Sequence, residues 1–325
     1  MLHVNYLVTG GGGYIGTHLV RHLDRSGSNV VSLDLKNAPG LVGKRISQIQ
    51  GDCLEFDLLQ TLHNRNKFDV IVNLAANKSV RESTNSRSSY FRTNVEAAIN
   101  LAKFSTLNNI PVFIHASSAA VYGNQHDGKI SELNYVNPQN YYGETKVISE
   151  VEISKVLQNS STGFTSLRFF NVGGYDSEFV IDKLDINILP QIAFSLKNSK
   201  LFNLYGNNFN TVDGSCERDF VHVLDVVETI ESIAKFMLSG RPVATEYNVC
   251  TGVKTSMLSL IARMEILSRT KLMTEIHPKS PEDPDSIVGD RARLNDLLGQ
   301  STYRAIEEIT KSTWNAFDSK RFLLL

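Results

Sequence analysis

Four consecutive glycines at residues 10–13, with a fifth at Gly16, restrict this chain more than any other feature. The apolar run before them, residues 5–8, reads as a buried strand. After them Ile15, Leu19, Val20 and Leu23 recur at helical spacing. The glycines therefore lie where a strand turns into a helix. They permit a tight turn, let backbone approach a ligand closely, and let the helix pack near the strand. The free N–H groups and the dipole of the helix start then face an anion, and a pyrophosphate suits that place. Gly11, Gly13 and Gly16 satisfy G-x-G-x-x-G, and Gly10, Gly13 and Gly16 satisfy G-x-x-G-x-x-G. A second strand, residues 30–34, ends in Asp34, 18 residues after Gly16. An acid there accepts hydrogen bonds from an adenosine ribose and repels a 2′-phosphate, which points to NAD. A nucleoside-triphosphate loop is disfavoured, because Thr17-His18 replaces its Lys and Ser/Thr.

The 325 residues can bury a large core and suggest two domains or one large one. Net charge −1 gives no reason to expect a nucleic-acid partner. No apolar run is long enough to predict a membrane span. Cys53, Cys216 and Cys250 are scattered and odd in number, in keeping with a reducing compartment such as the cytoplasm. The histidines show no metal-ligand spacing, so no metal site is expected.

Strand and helix signals alternate through the first half. Residues 45–50, 68–74, 111–115 and 165–170 read as strands, and 55–64, 85–107 and Tyr141–Leu157 as helices. This alternation predicts an α/β fold of the Rossmann type, a doubly wound parallel sheet that binds ligands at the carboxyl ends of its strands. The pattern loosens after about residue 171. It places a dinucleotide-binding domain at 1–173 and a smaller C-terminal α/β substrate lobe at 174–325. The segment 216–240 is expected to pack back onto the first domain.

Tyr142 and Lys146 are four apart at the start of a predicted helix and share one face. Their position after the strand at 111–115 puts them at the sheet edge where a nicotinamide would lie. A free tyrosine titrates near 10, so acting as a base at neutral pH needs a fall of about 3 units. A nearby Lys⁺ and the positive ring of NAD⁺ both favour the phenolate. Ser117-Ser118, after His115, supply a hydroxyl for a proton path, with Ser118 the candidate.

The glycine loop, Asp34, Asn73-Leu74-Ala75-Ala76, Ser118, Tyr142 and Lys146 together resemble an extended short-chain dehydrogenase/reductase, across essentially the whole chain. Within it the likeness is greatest to the UDP-glucose (UDP-galactose) 4-epimerase family. Residues 75–83 are similar to its A-x-x-K-x-V-x-E-S, and residues 116–123 to its S-S-x-x-V-Y-G. Arg168-Phe169-Phe170-Asn171 resembles R-Y-F-N, and residues 217–223 resemble R-D-Y/F-V/I-H-V. The resemblance implies that Gly10, Gly13, Tyr14, Ile15 and Gly16 hold the cofactor, with Asp34 on the adenosine ribose and Asp52 and Cys53 along the adenine. Leu74, Ala75, Ala76, Lys78, Asn94 and Phe170 would complete that site. Ser118 and Tyr142 would contact the sugar 4′-hydroxyl, and Lys146 the nicotinamide ribose. Asn171, Asn187, Ile188, Tyr205, Arg218 and Asp283 would hold the nucleotide, with Lys78 also near substrate. The implied enzyme epimerises a nucleotide sugar, UDP-glucose/UDP-galactose or the N-acetylated pair, through a transient 4-keto sugar, as a homodimer.

Two departures stand out. The family's R-x-G-D appears as Ser280-Pro281-Glu282-Asp283, so its second diphosphate arginine is missing and Lys279 stands beside its place. Ile287 occupies a position where a bulky Tyr tends to exclude N-acetyl sugars. Among competing functions, Ala119-Ala120 follow Ser118 where nucleotide-sugar dehydratases carry Asp-Glu, and alanines move no protons. An NAD-dependent nucleotide-sugar reductase, or a dinucleotide-binding protein without turnover, are the other readings.

Overall fold

The computed structural model describes residues 3–38, 40–124, 128–177, 187–280, 283–300 and 302–319. Pro281 and Glu282 of the departing motif lie outside them. The strands in chain order are β1 (Asn5–Thr9), β2 (Asn29–Asp34), β3 (Ile46–Gln50), β4 (Val70–Asn73), β5 (Val112–Ser118), β6 (Gly163–Phe169), β7 (Asn171–Gly173), β8 (Phe202–Tyr205), β9 (Glu217–His222), β10 (Glu246–Val249), β11 (Lys254–Ser256), β12 (Thr274–His277) and β13 (Ser286–Ile287).

Seven of them form one parallel sheet in the order β10-β6-β5-β4-β1-β2-β3. Strand order reverses beside β1, so the carboxyl ends of β1 and β4 open at a topological switch point. The central strands are buried on both faces, as helix-covered parallel strands must be, and read as continuous apolar runs. β3 is the edge strand and carries Gln48 and Gln50, whose polar side chains suit an unpaired edge. Leu7, Leu33, Leu59, Ile71, Phe104, Phe113 and Ile153 form the core between sheet and helices.

The stretch 85–107 is helical but not one regular α-helix. Arg87–Phe91 and Ala97–Leu107 are α-helical, and Arg92–Glu96 between them is a π-helix. Such i→i+5 turns are frequent at functional sites. Here the wide turn carries Asn94.

The chain divides into two compact units, and the division is not a single cut at residue 173. The first comprises Met1–Val121, Val136–Arg168 and Val227–Tyr247, and the second Tyr122–Tyr135, Phe169–Val226 and Asn248–Leu325. Val227–Tyr247 joins the first unit for visible reasons. Glu231 accepts from His22 at 3.0 Å, and Ser166 and Thr165 of β6 donate to Thr245 and Ala244, at 2.8 and 2.9 Å. Tyr122–Tyr135 belongs with the second because Asn248 gathers it. The Tyr122 hydroxyl donates to Asn248 Oδ1 at 2.7 Å, and Asn248 Nδ2 donates to the Ile130 carbonyl at 2.9 Å.

In the second unit β9 is central, flanked by β11 and β13 and extended by β7, while β8 and β12 form a separate parallel pair. In the first, the long helix Tyr141–Leu157 is tied to β6 by a bidentate pair, Arg168 Nε and Nη2 to Glu150 at 3.0 and 2.7 Å, with both side chains largely buried. Arg168→Met leaves the Glu150 carboxylate without its guanidinium, and is expected to lower the free energy of unfolding by about 3 kcal/mol in urea titrations. Restoring part of that loss with Glu150→Gln in the same chain would separate the stranded charge from lost packing.

Candidate active site

The glycine turn is built by close approach. Gly10 has φ +69°, and a Cβ there would lie 2.7 Å from the Ala75 nitrogen and the Leu74 carbonyl carbon. A Cβ on Gly16 would fall 2.2 Å from the Gly10 oxygen. The helix Tyr14–Arg25 starts at Gly13 with no side-chain cap and no acid in its first turn, so its positive end is left for an external anion. The Asp34 carboxylate lies beside the loop and accepts from the Gly12 amide at 3.0 Å and the Lys36 amide at 3.1 Å. These features fit a dinucleotide: a cradle that a Cβ would fill, an uncapped helix start and an acid at the end of the second strand. Tyr14 and Ile15 open the helix, and Lys78 Nζ sits 5.9 Å above the Tyr14 ring.

Farther along the sheet edge, Asp52 accepts from Arg92 at 2.8 Å, and Cys53 is buried with its thiol pushed up to about 12, chiefly by burial. Leu74, Ala75 and Ala76 follow β4, and the Leu74 amide bonds the Thr9 carbonyl at 3.0 Å. Asn94 is buried and satisfied by the protein itself. It exchanges hydrogen bonds with Asn77 at 2.8 and 3.1 Å and donates to Thr145 Oγ1 at 3.0 Å. It clasps the loop after β4 to the helix that carries Tyr142.

Ser118, Tyr142 and Lys146 meet at the carboxyl end of β5. Asn140 caps the helix Tyr141–Leu157 by accepting from the Gly143 amide at 2.9 Å, which sets Tyr142 in the first turn. Ser118 Oγ accepts from the Ala120 amide at 3.2 Å and lies near enough to the Tyr142 phenol to draw its pKa down. Ser117 is buried, and its hydroxyl has no partner among the described residues, so Ser118 is the serine at the phenol. Lys146 is buried and donates to the Ala116 carbonyl at 2.8 Å, with Nζ 5.9 Å from the centre of the Tyr142 ring.

Burial pushes Tyr142 up to about 12, against a smaller downward pull from Ser118. Lys146 alone therefore does not create a phenolate. Its ammonium is committed to Ala116, and burial lowers it to about 8, with Glu150 pulling the other way. A further positive charge against the phenol is required.

Of the residues expected to hold the nucleotide, Asn171, Asn187, Ile188, Tyr205, Arg218 and Asp283 all lie in the second unit, as does Phe170. Asn187 precedes the helix Ile188–Asn198, and Tyr205 stacks on His277 with ring centres 5.1 Å apart. Phe170 is buried, and its amide bonds the Val249 carbonyl at 3.2 Å. Asn171 pairs with Phe220 on β9, and the Asp283 amide bonds the Ser280 carbonyl at 3.0 Å. Arg218 Nη1 donates to the carbonyls of Glu217 and Pro284 at 2.8 and 2.9 Å. Its neighbours Asp219 and Asp225 have other partners. Asp219 is buried and accepts from Thr251, Gly252 and Gly289, and Asp225 pairs with Arg304. Lys279 lies 4.9 Å from the Phe209 ring and 3.5 Å from Asp285.

Sequence reasoning passed over Asp219 as a loop organiser and His115 as a buried polar strand residue. The second had a signal: an imidazole inside the apolar run Val112-Phe113-Ile114 must find hydrogen-bond partners.

A glycine turn for a dinucleotide and a Ser–Tyr–Lys set at the next strand ends define a nicotinamide-dependent enzyme of the Rossmann class. Residues 6–250 match the NAD dependent epimerase/dehydratase family, and the chain belongs to it. It is 31% identical to the bifunctional UDP-glucose 4-epimerase and UDP-xylose 4-epimerase 1 of Pisum sativum, over 95% of this chain and 94% of that one. Its fold is similar to the UDP-glucose 4-epimerase of Stenotrophomonas maltophila with bound NAD and formylated UDP-arabinopyranose, at TM-score 0.90 and 26% identity, covering 97% and 98% of the two chains. The Bifidobacterium longum enzyme in complex with NAD+ and UDP gives TM-score 0.88 and 26% identity, over 98% and 99%.

The buried lysine has a thermodynamic signature. Below about pH 8 its ammonium is charged in folded and unfolded chains alike, and the folded state bears the whole desolvation cost. Between about 8 and the unfolded value of 10.5 only the folded chain has lost the proton, so this residue's contribution to stability rises with pH. Lys146→Met removes that dependence. The melting-temperature advantage of the variant over the parent is expected to shrink from pH 8 to pH 10 in calorimetry. A constant difference would mean that Lys146 is not desolvated.

Proposed function

We propose that this NAD-dependent nucleotide-sugar 4-epimerase interconverts UDP-glucose and UDP-galactose, with Ser118, Tyr142 and Lys146 as its catalytic residues. The observation that carries the reading is the meeting of Ser118, Tyr142 and Lys146 at the end of β5, with Lys146 buried, bonded to the Ala116 carbonyl and 5.9 Å from the centre of the Tyr142 ring. When bound, NAD supplies a reversible hydride acceptor for the sugar C4 and a positive ring that lowers the phenol pKa. Tyr142 takes the 4′-hydroxyl proton, directly or through Ser118, and gives it back to the same oxygen after the 4-keto sugar has turned its other face to the cofactor site. Lys146 holds the nicotinamide ribose and keeps positive charge near the phenol. Gly10, Gly13, Tyr14, Ile15 and Gly16 would receive the pyrophosphate, and Asp34 the adenosine ribose.

Arg218 would clamp the UDP diphosphate, a task its fork of donors suits. Its bonds in this structure go to two carbonyls, and its acidic neighbours are engaged elsewhere. Asn171, Asn187, Ile188, Tyr205 and Asp283 would hold the rest of the nucleotide. Ile287, paired in register with Arg218, is smaller than the Tyr that excludes N-acetyl groups in similar enzymes and would leave more room, so the substrate range is proposed to include UDP-GlcNAc and UDP-GalNAc. Ala119 and Ala120 after Ser118 favour epimerisation over dehydration. Three unpaired thiols accord with a cytoplasmic setting. A homodimer through the helices at 85–107 and 141–157 is supported by exposed Leu107, Ile148 and Val151 on those helices.

Denatured protein is expected to release NAD and not NADP, and the native protein to interconvert UDP-hexoses without added cofactor. NAD(H) consumption in step with product would instead indicate a reductase. Tyr142→Phe is expected to lose about 10²-fold or more in kcat while retaining bound dinucleotide; parental turnover in that variant would remove the phenol from the reaction. Val151→Glu should halve the mass measured by sedimentation equilibrium if the helices at 85–107 and 141–157 form the dimer contact.

A further inference from the structure

β5 and the helix Tyr141–Leu157 meet at three matched positions, two of them hydrogen-bonded. Ser118 lies within reach of the Tyr142 phenol, the Ala116 carbonyl accepts from Lys146 at 2.8 Å, and His115 Nε2 lies 3.0 Å from Ser149 Oγ. The partners run in opposite directions, 115, 116, 118 on the strand against 149, 146, 142 on the helix. Three strand residues span about 10 Å, and seven helical residues span about 10.5 Å. The two ladders therefore have the same length.

The hydrogen positions of the lowest rung follow from its neighbours. The Ala75 amide can only donate, and it points to Asn73 Oδ1 at 3.2 Å, which also accepts from Thr9 Oγ1 at 2.9 Å. Asn73 Nδ2 therefore faces His115 Nδ1, at 3.2 Å, and an amide nitrogen donates. His115 accepts at Nδ1 and carries its proton on Nε2, which donates to Ser149. Ser149 in turn donates to the Lys146 carbonyl at 2.9 Å. One directional chain thus runs from the ends of β1 and β4, through a fully buried neutral imidazole, to the turn of helix that presents Lys146.

We propose that His115 is a positioning residue for the epimerase reaction, and that its bond to Ser149 fixes the register of the helix on β5 so that Tyr142 meets Ser118. Losing the rung lets the helix shift along the strand. A misplacement of about 1 Å at the reacting groups can cost about 10²-fold in rate.

The inference rests on the proposed function for its activity assay, and a crystallographic readout makes it separable. Ser149→Ala and His115→Phe are each expected to lower kcat per bound NAD about tenfold or more, with the KM for UDP-galactose within about twofold of the parent. The double variant should be no slower than the slower single one, because both remove the same rung. His115→Gln, which keeps a donor near the Nε2 position, should recover most of the kcat. Unchanged kcat in Ser149→Ala, or losses that multiply in the double variant, would overturn the proposal. So would a crystal structure of Ser149→Ala with Tyr142 and Lys146 unmoved against Ser118 and Ala116, whatever the turnover of the parent. A parent inactive on every UDP-hexose would count against the proposed function and leave that crystallographic criterion in force.

Discussion

The candidate site depends on one ammonium group taken out of water. Lys146 is buried and bonds a single backbone oxygen, that of Ala116. A charge in that setting survives only if its surroundings make neutralisation costly too. Glu150 does this at one remove, because its carboxylate raises the lysine pKa while being held by Arg168. His115, next to Ala116 in the strand, is kept neutral by burial and by the ammonium, so it adds no second positive charge. Lys146 stays mostly protonated at neutral pH and yet is anchored to the strand that carries Ser118.

The same burial explains why the phenol is not a base in the protein by itself. Tyr142 gains less from Ser118 than it loses by leaving water. On the proposed reading the phenol would accept the sugar proton only once a positive nicotinamide ring lay against it, so that no strong base would form in the unloaded protein. That reading also agrees with the glycine turn, where Gly10 and Gly16 bring backbone so close that no side chain fits.

In the second unit, Asp219 has a role that its place in the Arg-Asp motif does not announce. Its buried carboxylate gathers the amides of Thr251, Gly252 and Gly289, drawing the turn after β10 and the segment after β13 toward β9. Arg218, the adjacent residue, points its guanidinium at two carbonyls instead. Alternation along the strand explains the pair: successive side chains face opposite sides of the sheet.

The local parts of this protein were legible because they follow from short-range rules. Apolar runs of strand length, the helix at Tyr141–Leu157, the glycine turn with its following acid and the Tyr–Lys spacing all depend on residues near one another in the chain. Motif resemblance carried the reading further, to a nucleotide-sugar epimerase. The bounds of the segment that joins the first unit, Val227–Tyr247, and the partners of His115, which are Asn73 and Ser149, were not legible. Each depends on groups brought together from distant parts of the chain, and hydrogen-bond geometry and burial exist only once those parts are packed.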